Sequence, residues 1–96
     1  MRIGQRIKIP KGTKICKDFL SRAKGLMFAS KPKPTLLVFQ KESKVGIHML
    51  FVFFPLDIIW LDSKYKIVDI RKNVKPFSGV YYPNTPAKYV LELPVK

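Results

Sequence analysis

Apolar positions fall into two arrangements along this chain, a period of two near its start and unbroken runs from its middle onward. From Met1 to Lys14, Ile3, Ile7 and Ile9 are interleaved with Arg2, Gln5, Arg6 and Lys8, which predicts a half-buried strand ended by Pro10 and Gly12. Ile15, Phe19, Leu20 and Ala23 approach helical spacing across ICKDFLSRAKG, and Gly25 stands where a helix stop belongs, so one short helix is predicted there. SKPKPT, with Pro32 and Pro34, reads as a surface loop. Strand signals follow: the runs Leu36 to Gln40, Ile47 to Phe54 and Leu56 to Leu61, then the alternating segment KIVDIR, a brief pairing of Val80 to Tyr82, and YVLEL at 89–93. KESKVG, DSKY, NVKPFSG and PNTP separate them as turns and loops. The pattern predicts one mainly β domain over residues 1–96, a small antiparallel β-sandwich or partly closed barrel with one short helix.

The most apolar stretch, IHMLFVFFPLDIIWLD, would serve equally a membrane anchor, a core or a binding site. Only about 15 residues separate Gly46 from Asp62, and Pro55 and Asp57 lie among them, whereas a helical span needs about 20 apolar residues. No membrane span is therefore expected, and the run reads as core strands covered on both faces. Residues 1–14 hold basic side chains throughout and no apolar region of signal-peptide length. With Cys16 as the one cysteine and a single histidine, neither a disulfide framework nor a transition-metal site is expected, and the cytoplasm is the expected compartment.

Charge changes the picture more than composition does. The formal net charge is +13, which favours nucleic acid or another polyanion as partner. Twelve Lys or Arg lie between Met1 and Lys44, opposed by Asp18 and Glu42, while residues 45–63 carry no positive charge. Lysines outnumber arginines fifteen to four, a bias that also suits a merely solvated surface.

The ordered segments RAKGLM, LLVF, IHMLFVFFPLDIIWLD, KIVDI, a tyrosine-containing loop and AKYVLELP resemble domain-of-unknown-function family 192, small uncharacterised proteins of bacteria and archaea. The resemblance runs from about Thr13 to Pro94 and implies a compact, mainly β sandwich; it implies no activity, since none is established for the family, and no cofactor is expected. Where many relatives have a Trp-Met pair followed by polar residues, this chain has His48 and Met49 followed by Leu50, Phe51 and Val52, as in the archaeal branch. Phe28 and Ala29 stand where relatives often carry an arginine, and relatives commonly continue past LEL with a glycine and another strand. An open sheet edge through which a second copy could pair is expected from that last difference.

Seven residues are candidates for ligand contact. Asp57 is a carboxylate inside an apolar run, so it must be paired, either fixing the bend made by Pro55 or serving as base or acceptor in a pocket. His48 is a satisfied core or rim residue or, facing Asp57 across neighbouring strands, half of an acid-base pair. Arg22 caps nearby carbonyls or anchors an anion. Lys72, Lys75, Tyr81 and Tyr82 combine cations and aromatic rings in one loop region, the combination that neutralises and stacks single-stranded nucleic acid. No phosphate loop, paired catalytic carboxylates, zinc-ligand spacing or nucleophile elbow is present, so no catalytic residue is assigned. A non-enzymatic polyanion-binding module is favoured over a metabolite binder or enzyme built around Asp57, His48 and Arg22.

Overall fold

The computed structural model describes residues 1–18, 33–49 and 52–95. Its strands are β1 (Lys14–Cys16), β2 (Thr35–Ser43), β3 (Ile47–His48), β4 (Leu56–Leu61), β5 (Ile67–Val74), β6 (Val80–Tyr81) and β7 (Ala87–Pro94). Five of them form a sheet in the order β1-β2-β7-β4-β5, and β3 and β6 pair as a separate two-stranded sheet. Neither sheet closes on itself, and the architecture is mainly β and sandwich-like. All pairings are antiparallel except β1 with β2, which is parallel. No helix occurs among the described residues.

Alternation along each strand divides the large sheet into two buried faces. On one, Leu37, Leu56, Ile58, Trp60 and Val90 pack beneath Ile47, Met49 and Val52, with Val45, Phe54 and Tyr81 at the margin. On the other, Leu36, Ile59, Leu61, Ile67 and Leu91 are covered by Ile7 and Ile9 of the N-terminal segment and flanked by Tyr65 and Tyr89. β4 is thus hydrophobic throughout except at Asp57, as expected of a strand with both faces covered. Trp60 is fully buried, and its indole N–H donates to the Val45 carbonyl at 3.1 Å, so the largest core side chain leaves no polar atom unpaired.

Several expectations change. Lys14, Ile15 and Cys16, placed in the predicted helix or just before it, form β1 beside β2, and the rest of that helix lies outside the described residues. Among the described residues of the run Ile47 to Phe54, Ile47 and His48 are strand; the Met49 carbonyl accepts from the N–H of Val52 and of Phe77, and residues 50 and 51 lie outside the described residues. The alternation of residues 1–14 survives as side-chain placement, with a single antiparallel bridge between Arg6 and Lys66. β2 extends to Ser43, into the predicted KESKVG turn. The C-terminal strand β7 is interior, between β2 and β4, so the outer strands among the described residues are β1 and β5. No helix of the described residues is long and apolar enough to cross a membrane.

Candidate polyanion interface

A cleft of about 250 Å³ opens at the C-terminal end of β5, lined by Arg71, Lys72, Asn73, Val74, Lys75, Ser78 and Tyr81. Local backbone geometry creates it. Between the register pairs Leu56–Val74 and Ile58–Arg71, β5 has one residue more than β4, a bulge that re-aims the chain at Lys72 and Asn73. Asn73 takes a left-handed conformation (φ 52°), which asparagine tolerates better than most residues. The Asn73 N–H donates to Asp57 Oδ1 at 2.8 Å. Through this bond Asp57 on β4 accepts from the bulge of β5 beside the cleft.

The loop beyond the bulge is fastened by hydrogen bonds within itself and to the chain after β3. Ser78 Oγ donates to the Lys75 carbonyl at 2.6 Å, and the Tyr81 hydroxyl lies 2.8 Å from Ser78 Oγ. Phe77 N–H donates to Met49 O and Met49 N–H to Gly79 O, each at 3.0 Å, tying the loop to the chain after β3. Phe77 itself has φ 61°, and its ring meets Phe53 edge-on, with centroids 5.4 Å apart. Phe53, Phe77, Val80 and Tyr82 are all more than half exposed, so aromatic surface continues from the cleft onto the β3–β6 sheet. Tyr82 lies over Gly46, where an added Cβ would collide with its ring.

Behind the cleft stands a polar network absent from the sequence-based candidates. Asp69 is buried, and its Oδ1 accepts from the Ile70 N–H at 2.8 Å and from Arg71 Nη1 at 2.7 Å, while Oδ2 accepts from the Asn84 N–H at 2.8 Å. Arg71 also donates to the Ile70 carbonyl and, at 3.5 Å, to the Tyr82 carbonyl, and lies 5.9 Å from the Trp60 ring centroid. One arginine thereby links β5, the segment after β6 and the core tryptophan.

Lys72, Lys75 and Tyr81 are brought together, with Tyr82 one residue beyond the end of β6. His48 sits on β3 opposite Val80, in a different sheet from Asp57, which faces Leu93 across β4 and β7. Neither residue lines this cleft. Arg22 lies outside the described residues. Replacing Asp57 by alanine is expected to lower stability by about 1–2 kcal/mol, because the Asn73 N–H loses its acceptor, whereas asparagine keeps an oxygen there and costs less. Urea unfolding of the two variants checks this; equal losses would mean that the carboxylate matters for some reason other than that bond.

One further carboxylate escaped the sequence reading. Glu92, on β7, lies between Thr35 of β2 and Ile58 of β4 in register and is buried, as is Thr35. Its Oε1 has no hydrogen-bond partner among the described residues, and burial pushes its carboxyl up to about 7.

Comparison with known proteins places the whole arrangement. The family model described as Uncharacterized ACR matches residues 4–96. A UPF0127 protein of Pyrococcus horikoshii is 32% identical over 83 residues, covering 84% of this chain and 70% of the relative. UPF0127 proteins of Thermococcus kodakarensis and Thermococcus gammatolerans are each 35% identical, with 85% and 80% of this chain covered. The matches span 53% and 51% of those two proteins, about half their length. Among solved structures, a protein of unknown function from Novosphingobium aromaticivorans matches with a TM-score of 0.80 at 22% identity, over 85% of this chain and 61% of that one. A Sinorhizobium meliloti structure provisionally described as a transcription regulator matches with a TM-score of 0.81 at 28% identity, over 86% of this chain and 67% of that one.

Proposed function

The chain belongs to domain-of-unknown-function family 192, and for this member we propose a non-enzymatic binding function directed at a polyanion, of which single-stranded nucleic acid fits best. The observation that carries the proposal is the cleft at the end of β5: Arg71, Lys72 and Lys75 converge beside Tyr81, and none of the lining residues is acidic. Arg71 is partly neutralised by Asp69, so Lys72 and Lys75 supply most of the uncompensated charge. Exposed Phe53, Phe77 and Tyr82 next to these cations provide flat apolar surfaces on which unpaired bases can stack. The description of the Sinorhizobium neighbour as a transcription regulator points in the same direction. At about 250 Å³ the cleft falls below the range of about 300–1,000 Å³ usual for small-molecule sites, which suits contact with part of a longer polymer better than enclosure of a free metabolite.

Fluorescence anisotropy with labelled single-stranded RNA and DNA tests this at about 50 and about 200 mM salt, where phosphate-driven affinity falls steeply. The double substitution Lys72→Glu and Lys75→Glu is expected to weaken binding by at least about tenfold and to flatten the salt dependence by roughly 1.4 in log-log slope, two phosphate contacts' worth. A control with the same charge change, Lys11→Glu and Lys41→Glu at exposed positions outside the cleft, should lose much less. Equal losses in both variants would reduce the binding to net charge and reject the cleft as its site.

A further inference from the structure

A second cleft, of about 620 Å³, lies at the other end of β5 and on the opposite face of the sheet. It is lined by Arg6, Ile7, Lys8, Ile9 and Tyr65. Residues 6–9 run extended along the chain that leads into β5: Arg6 bridges Lys66, the Ile7 N–H donates to the Tyr65 carbonyl at 3.1 Å, and the Ile67 N–H to the Gln5 carbonyl at 2.9 Å. An extended backbone alternates its side chains, so Ile7 and Ile9 pack on the sheet while Arg6 and Lys8 remain exposed. The result is an apolar floor with a cationic rim and a tyrosine wall, and no acidic residue lines it.

The wall is built at some cost. Tyr65 has φ 63°, a left-handed conformation that glycine or asparagine adopts far more easily than a residue with a bulky side chain. The turn holding it is pinned by Asp62, whose Oδ1 accepts from the Lys64 N–H at 2.8 Å and the Lys66 N–H at 3.0 Å. In this position the Tyr65 ring stacks on Tyr89, with centroids 4.4 Å apart and planes 9° from parallel, and Lys88 Nζ is 5.8 Å from the Tyr89 ring centroid. A hydrogen bond to Tyr89 and partial burial hold the Tyr65 hydroxyl above the ordinary tyrosine range, against the pull of Lys88 and Lys17, so it stays a neutral hydroxyl.

We propose that this second cleft is a small-ligand site for a nucleoside monophosphate, with the phosphate on Arg6 and Lys8 and the base on Ile7, Ile9 and the Tyr65 ring. Its volume falls in the range of about 300–1,000 Å³ usual for small-molecule sites, and its charge and its apolar surface are separated as the two ends of such a ligand require. The site is independent of the β5 bulge and stands or falls without it.

Chemical-shift titration of the intact protein with AMP, UMP, ribose 5-phosphate and inorganic phosphate, each up to about 10 mM, decides the matter. AMP and UMP are expected to shift Ile7, Ile9 and Tyr65, and to bind at least about tenfold more tightly than ribose 5-phosphate or phosphate, the difference that one stacked base supplies. Arg6→Glu together with Lys8→Glu should remove that binding, while the Lys72→Glu, Lys75→Glu protein retains it. Three results would each overturn the assignment: no shifts at these residues, shifts centred on the bulge cleft, or equal affinity for inorganic phosphate. Loss of oligonucleotide binding with these shifts intact would reject the function proposed above and leave this site standing.

Discussion

Stability of the Glu92→Gln protein, measured relative to the native sequence by urea unfolding, is expected to rise by about 3 kcal/mol between pH 4.5 and pH 8. The cause is the position of Glu92 in the centre of the sheet. β7 lies between β2 and β4, and the register sets Glu92 beside Thr35 and Ile58, so its carboxyl is removed from water on both sides. Along the same row, Lys14 on β1 and Arg71 on β5 are each two strands away, about 10 Å at ordinary strand spacing. No ion pair among the described residues offsets the desolvation, and burial alone raises the carboxyl from 4.5 to about 7.

The sign follows from proton counting. Between pH 4.5 and about 7 the unfolded chain has released this proton and the folded chain still holds it, so the unfolded state gains with rising pH. The contribution of Glu92 to stability is fully present below pH 4.5, lost progressively up to about 7, and constant above that. Glutamine has no proton to lose and lacks this slope, and subtracting the two pH profiles cancels every other titrating group. Parallel profiles, agreeing within about 0.5 kcal/mol across that window, would mean that Glu92 ionises as if exposed.

The difference between Glu92 and Asp57 illustrates what could be read from the chain beforehand. Asp57 stood out because a charge interrupted an obviously apolar run, yet it is only half-buried, and a backbone N–H at the neighbouring bulge satisfies it. Glu92 sits in YVLEL, where a single polar position is equally compatible with one wet face. Only strand order, with β7 interior, takes that position out of water. Asp69 is buried although β5 is an outer strand among the described residues, held there by Arg71 and the N–H groups of Ile70 and Asn84. β4, β5 and β7 themselves were legible, since apolar runs of strand length were bounded by turn residues.

The errors were of a different kind. An unbroken apolar run such as Ile47 to Phe54 has no period to separate a strand from a buried loop, and Met49 spends its carbonyl on Val52 and Phe77 instead of a sheet partner. β1 is three residues long, shorter than any periodicity can register, so Ile15 was read into a helical spacing with Phe19, Leu20 and Ala23. Lys72, Lys75 and Tyr81 were legible as one cluster because they are near in sequence. Arg6, Lys8 and Tyr65 were not, because the bridge to Lys66 that joins them spans most of the domain.

Asp69→Ala is expected to destabilise the protein by about 3 kcal/mol, a larger loss than that expected of Asp57→Ala. Asp69 is buried and accepts three hydrogen bonds, from Arg71 and from the N–H groups of Ile70 and Asn84, so alanine leaves three donors seeking water from partly enclosed positions. The ion pair is the smaller part of this cost. The Arg71 side chain is 36% exposed against 7% for Asp69, so solvent screens the charge interaction and lets the guanidinium rehydrate once the carboxylate is gone. Arg71→Ala should accordingly cost only about 1 kcal/mol, since Asp69 keeps its two N–H donors. The double variant should be less destabilised than the sum of the two, because removing either partner already breaks the same bond. A strictly additive cycle would mean that the 2.7 Å contact between them is energetically idle. An Asp69→Ala protein within about 0.5 kcal/mol of the native one would mean that Asn84 and Ile70 find other acceptors, and that the segment after β6 is held by something other than this carboxylate.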